Sequence, residues 1–474
     1  MSQSQTCLRV GVENTLTSLS PDLWTSLTDM QIGRQIYQGL ITYDHKMKIT
    51  PALAESWQVG DSGREWRFRL RPSVFFHDEQ PVNAEAALWN MEHRVIWLSG
   101  LYAFIEKIFI NDELSFTIRL RRAYAPLLDL LAGPAAVFVS PQEAKIGKEK
   151  VRAGTGAFKF ERRGRGDAVI LRRAPRGWSN KPRSAGVARI EFVPKLNGVE
   201  MWESLIQGRL DLIYECPYQV LHDKSDGHLF VKNSCPSLSV NMMHFNMASG
   251  PFASRSLRNI VAEAVDKREL FEKGNEGLGC VADGPISPAS SFYVRRGKVA
   301  SSESSKPSRL AARRPAAQKF ELLTNEGYNP LWLGLFQQQM ARAGLECRIV
   351  TAPFNEVYSR LRSGDYEAAL MGMAGSGDPD TLLFDAFHSR GAINLSGVAN
   401  KELDAVLEKA RREIDIEKRK QLYLVARDLI THIRPALFLR HGLSILVHHK
   451  SLVGVTPHPD NYLRLEEAAF RPRN

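Results

Sequence analysis

The chain has 474 residues, 43% of them hydrophobic and 24% charged, with a formal net charge of +11. This is an ordinary water-soluble globular composition, long enough for two or more lobes with sizeable cores. No apolar run reaches the roughly 20 residues that a membrane helix needs; the longest, near Leu130 to Val139, is broken by Gly133 and Pro134. The arginine excess forms no basic stripe interleaved with aromatics, so the pattern of a single-strand nucleic-acid binder is missing and a solvated basic surface is the reading.

In chain order, Leu8 to Val12 reads as a buried strand, followed by a Thr/Ser/Pro loop and a helix through about Ile36. Ligands of α/β folds tend to sit beyond the carboxyl ends of strands. Glu13, Asn14 and Thr15 are therefore candidate ligand-binding residues, with an ordinary strand-to-helix loop as the competing reading. Five cysteines (Cys7, Cys216, Cys235, Cys280, Cys347) show no CxxC pairing, which argues against a zinc or redox motif. They leave room for one disulfide whose pairing the spacing does not fix. The first residues carry neither a basic stretch nor an apolar stretch of the export type. Two readings follow: an export signal that is replaced or misplaced, or a protein that stays in the cytoplasm.

From Tyr37 to about Arg94 the chain is denser in signals. Trp66, Phe68 and Leu70 alternate with Arg67, Arg69 and Arg71, the period of two of a half-buried strand, and Asp61-Ser62-Gly63 supplies the turn before it. The "GDSG" at 60–63 also occurs around serine-protease nucleophiles, but in a hairpin turn without further protease pattern a turn is the better account. Asn83 is placed to cap a helix that follows Pro81-Val82.

This stretch resembles the family 5 extracellular solute-binding proteins, the dipeptide, oligopeptide and nickel-chelate binders of ABC importers. The residues that carry the resemblance are Tyr37, Gly39, Leu40, then Pro51 to Trp57, Asp61, Gly63, Trp66, Phe68, Leu70, Arg71, Val74, Phe76, His77, Asp78, Pro81 and Ala84. It continues in Gly154-Thr155-Gly156-Ala157-Phe158, in Phe245 and Asn246 with Pro251, Phe252, Arg255 and Arg258, and in Asn394 to Gly397 with Asn400, Leu403 and Asp404. For the glycines at 154 and 156 a tight turn into a strand is the reading, since the Lys-Ser/Thr of a phosphate-binding loop is missing.

The resemblance implies an α/β, periplasmic-binding-protein-like (type II, cluster C) Venus-flytrap with two lobes and an extra subdomain in lobe I. Lobe I core would comprise 1–39, 152–246 and 448–474, the subdomain 40–151 and lobe II 247–447, with hinge crossings near 240–247 and 446–452. It implies the substrate-binding component of an ABC importer, capturing a peptide or small polar solute in an interlobe cleft. That component would be periplasmic, monomeric, and a transient partner of an inner-membrane permease, with no nucleic acid, metal or cofactor. A cytoplasmic ligand sensor on the same fold is the alternative; an amidase or peptidase ranks last, because no HExxH, GxSxG or Ser/His/Asp arrangement is present.

By the same resemblance, Asn246 and the loop Met371 to Asp380 approach the ligand, which adds Asn246, Gly375, Ser376 and Asp378 to the candidates. In peptide binders an aspartate of that loop meets the ligand's ammonium group. Here the position is Gly375, so the amine anchor is expected to be absent, while Asp378 is expected to cap the next helix. Further expectations are an alternating strand at Phe116–Leu120, a helix over Pro330–Ala343 with Leu331, Leu335 and Met340 inward, solvent-facing His441, His448 and His449, and a polar loop at 295–319.

Overall fold

The computed structural model describes residues 7–147, 151–175, 186–214, 218–221, 229–295 and 318–471. The chain divides into two compact units. The first is Met1–Cys235 with Ser444–Asn474, and the second is Pro236–Leu443. Only two strands pass from one unit into the other, Phe230–Phe245 and Ala436–His449. Most of the expected segment 295–319 lies outside the described residues, as does Cys216.

In the first unit the Cys7–Gly11 strand runs parallel to Arg189–Val193 on one side and to Leu212–Tyr214 on the other. The antiparallel pair Phe158–Arg163 and Val169–Arg173 extends one edge, and the last residues of Ala436–His449 extend the other through Leu212↔His448. Leu8 and Val10 are wholly buried, as a strand with a neighbour on each edge and cover on its faces requires. The core around them takes Phe158, Ile190 and Phe192 from the middle of the unit, and Leu446, Leu452, Leu463 and Leu465 from the end of the chain.

A separate four-stranded antiparallel sheet occupies the 54–120 region, in the order Ala54–Val59, Glu65–Leu70, Ser115–Leu120, Ile105–Asp112. Glu65–Leu70 alternates as its sequence predicts, with Trp66, Phe68 and Leu70 inward. Ser115–Leu120 does not. It is a central strand, and its polar positions are buried too, Ser115 bonded to Asp112 and Thr117 to Asn111. Asn83 caps the Ala84–Asn90 helix by accepting from the Ala86 amide at 2.9 Å. The glycines at 154 and 156 lead into the Phe158 strand as expected, but close packing is what demands Gly154: a Cβ there would lie 2.1 Å from the Ile36 carbonyl oxygen.

In the second unit Phe230–Phe245 pairs antiparallel with Ala368–Met373, which runs parallel to Gln318–Asn325, and that strand parallel to Leu345–Ala352. Helices alternate with these strands, as in mixed α/β lobes. The Pro330–Arg342 helix buries Met340 as expected, packs Leu335 against the core, and buries Trp332, Phe336 and Gln339 beside them; only Leu331 departs from the expected face, at 57% exposed. The histidines of Ala436–His449 also correct the sequence reading. His441 and His448 are buried rather than solvent-facing, because this strand is covered on both faces. Their rings bond backbone carbonyls of Ser239 and His449, and burial lowers the pKa of both.

Candidate functional site

Glu13, Asn14 and Thr15 follow the carboxyl end of the Cys7–Gly11 strand, and Glu13 and Asn14 are exposed. The loop that carries them is held by one buried carboxylate. Asp29, in the first turn of the Leu27–Ile36 helix, accepts from the amides of Thr17 at 2.7 Å, Thr25 at 2.9 Å and Ser26 at 3.1 Å. Ser26 Oγ in turn accepts from the Asp29 amide at 3.1 Å, completing a capping box. Asn14 is tied by its own amide to Thr28 Oγ1, and the Glu13 carbonyl receives Lys195 N–H. The backbone is therefore fixed while the two side chains stay open to solvent.

A feature the sequence reading missed lies in the same unit. The Ala84–Asn90 helix continues into a π-turn at Met91–Val95 and ends near Leu98. In its last turn Trp97 stacks with Tyr102, which follows the helix, with ring centroids 5.4 Å apart, yet they are 61% and 54% exposed. π-turns concentrate at functional sites, and exposed aromatic pairs offer faces for a ligand. Arg94, within the π-turn, is buried and pairs with Asp22 at 2.6 Å, so this helix is anchored to the loop that follows Glu13–Thr15. The only signal available in the sequence was the apolar group Trp97, Leu98 and Tyr102 at and just past the helix end.

In the second unit, Asn246 is buried and wholly engaged by the chain. Its amide nitrogen donates to the carbonyls of Gly364 at 3.0 Å and Tyr366 at 2.9 Å, and its oxygen accepts from the amides of Ala248 and Ser249. It clamps a turn and offers nothing to a solute. The loop after Ala368–Met373 holds the other three candidates. Ser376 donates to the Asp378 carbonyl at 2.6 Å. At Gly375 a Cβ would lie 2.6 Å from the Leu238 carbonyl oxygen, so the missing side chain there is a matter of space as well as chemistry.

Asp378 is buried, and its role is broader than a cap. One oxygen accepts from the Asp380 amide at 3.0 Å, at the start of the Asp380–Phe387 helix. The carboxylate also receives Arg419 at 2.5 Å and the Tyr423 hydroxyl at 3.1 Å, both from the Ile416–Ile433 helix. Burial and then the Asp378 charge raise the Tyr423 pKa; the same carboxylate holds Arg419 above its usual range despite burial. Two residues on, Asp380 is gripped by Arg411 at 2.9 Å, and the Arg411 guanidinium lies over the Phe384 ring. Burial pushes the Asp380 pKa up to about 6 against the pull of Arg411. These paired charges build the floor of the loop; Asp378 is not a free anchor. Among the described residues no group of three or more His, Cys, Asp or Glu side chains is arranged to hold a metal ion.

A family model described as "Bacterial extracellular solute-binding proteins, family 5 Middle" matches residues 48–394. The chain belongs to this family and is a solute-binding protein with the family's type II fold. It is 24% identical over 498 residues to the glutathione-binding protein GsiB of Pectobacterium atrosepticum, covering 97% of this chain and 93% of that one. The GsiB of Escherichia coli K12 is likewise 24% identical over 496 residues, with 97% and 93% covered. Among solved structures, HbpA2 of Haemophilus parasuis superposes with a TM-score of 0.85 at 20% identity over 98% of this chain and 100% of that one. DppA of Helicobacter pylori, solved with the peptide STSA, gives 0.80 at 21% identity over 98% of each chain.

Proposed function

We propose that this chain is the substrate-binding component of an ABC importer and captures a peptide-like solute in the periplasm. Family membership over nearly three quarters of the chain carries this reading, and relatives named for glutathione binding set the size class of the solute. The two strands that pass between the units act as the hinge, and solute binding shifts an open–closed equilibrium that a membrane permease reads. Glu13, Asn14 and Thr15, with the Trp97–Tyr102 stack, serve as contacts from the first unit.

Recognition of a free amine does not run through position 375. The loop has no carboxylate there, and its neighbouring carboxylate, Asp378, is paired with Arg419. The solute is accordingly one whose amine is modified or held by another group, such as Glu13. A thermal-shift panel of glutathione, di- and tripeptides, opines and metal chelates tests the proposal. Saturable stabilisation by at least one class is expected, of the size mass action gives, about 2.7 kcal/mol at a hundredfold excess over Kd. No shift with any of them would overturn it.

A further inference from the structure

A cavity of about 910 Å³ lies within the first unit, walled by the end of the Leu27–Ile36 helix, residues 37–52 and the 458–469 segment. Its volume is that of a small-molecule pocket. Four arginines line it: Arg34, Arg71, Arg173 and Arg464.

Three of them have clear structural partners. Arg464 is held bidentately by Asp460 at 3.0 and 2.7 Å, and His458 takes the same carboxylate at 2.7 Å, so Asp460 is fully occupied. Arg71 donates to the Ala52 carbonyl, and Arg173 to the carbonyls of Val187 and Glu466. Arg34 is different. Its guanidinium lies over the Tyr462 ring at 5.1 Å and makes no hydrogen bond or ion pair among the described residues. Of the wall's carboxylates, Asp44 accepts the Lys46 and Lys48 amides of its own turn, while Glu466, exposed, acts on Arg34 through its charge without an ion pair. Burial, and after it the nearby Arg464 charge, draw the Arg34 pKa down. The Asp460 and Glu466 charges pull the other way but more weakly, so the cation is only partly offset, and an oxyanion accepted in bidentate fashion would complete the compensation.

We propose that this cavity is a second binding site, separate from solute capture, for a small organic anion bearing a carboxylate or a phosphate, with Arg34 as its anchor. With its Cζ 5.1 Å from the Tyr462 ring centroid and no hydrogen bond to the described residues, the guanidinium keeps its donors for an oxyanion.

Calorimetric titration with succinate and with inorganic phosphate at low salt tests this, together with hydrogen exchange of the native protein. One of the two anions is expected to bind saturably and to protect peptides spanning 34–45 and 458–469. Arg34→Gln should weaken that binding by roughly tenfold or more, the loss of one charge-assisted contact, with Arg34→Lys falling in between because an ammonium keeps the charge but not the two-pronged donor. Binding by neither anion, protection only elsewhere, or an unchanged affinity in a folded Arg34→Gln would overturn the proposal. Should both variants fail to fold, the location of exchange protection in the unaltered protein decides alone. Glutathione or peptide binding is measured on the same samples, so loss of the anion site and failure of solute capture are told apart.

Discussion

Gly375 illustrates how a single position sets specificity and stability together. A side chain there meets the Leu238 carbonyl oxygen at 2.6 Å, so Gly375→Asp would not simply install an ammonium anchor. It should lower stability by roughly 1–3 kcal/mol, as overpacking does, read as a fall in melting temperature without any gain in affinity for free-amine peptides. His244 makes the matching case for pH. Burial pulls its pKa down to about 4, while the Met371 backbone pulls the other way. A histidine whose folded pKa lies below its unfolded value contributes stability that is complete above about pH 6.5 and disappears as pH falls toward 4. Melting temperature should drop across that window, by an amount corresponding to about 2–3 kcal/mol, and His244→Leu should flatten the slope. Local chemistry of this kind is only half legible in a sequence. The missing carboxylate at Gly375 was readable; the strand that fills its place was not.

Elements follow the same division. The Glu65–Leu70 strand, the Asn83 cap and the turn at Gly63 were readable because each depends on neighbours within a few residues. The pairing of Asp378 with Arg419 joins residues 41 apart, and in the sequence Arg419 looks like one more charge on a solvated amphipathic helix. Its burial decides what it does. Arg419→Met should strand the Asp378 carboxylate and cost about 3–5 kcal/mol, whereas the double change with Asp378→Asn should recover much of the loss. Urea unfolding of the three variants checks this. The exposed Trp97–Tyr102 stack was hidden for another reason: a π-turn resets which residues face outward, and no periodicity announces it. Trp97→Ala should leave the melting temperature nearly unchanged and weaken capture of the solute by roughly tenfold, the worth of one aromatic contact.

At the scale of the whole molecule, resemblance at scattered positions from Leu8 onward was enough to place the chain in its family, because those positions are turns, caps and core faces of the fold. The division at Cys235/Pro236 and Leu443/Ser444 lies a few residues before the crossings expected near 240–247 and 446–452. Both divisions fall inside long strands, beside Pro236 and Gly442, single residues that mark a break only once the strand running through them is known.

The second unit is thus one uninterrupted stretch inserted into the first, and the first cannot complete its interior without Leu446, Leu452, Leu463 and Leu465. On the ribosome the middle of the polypeptide has everything it needs before the beginning does. The opening 235 residues must wait, unfinished, until the final thirty or so emerge. A chain stopped after Leu443 should keep slow amide exchange in 236–295 and 318–443 and lose it in 7–147, 151–175 and 186–214. Release of the nascent chain before Ser444 would thus leave a sound middle beside an opening half that cannot close its core.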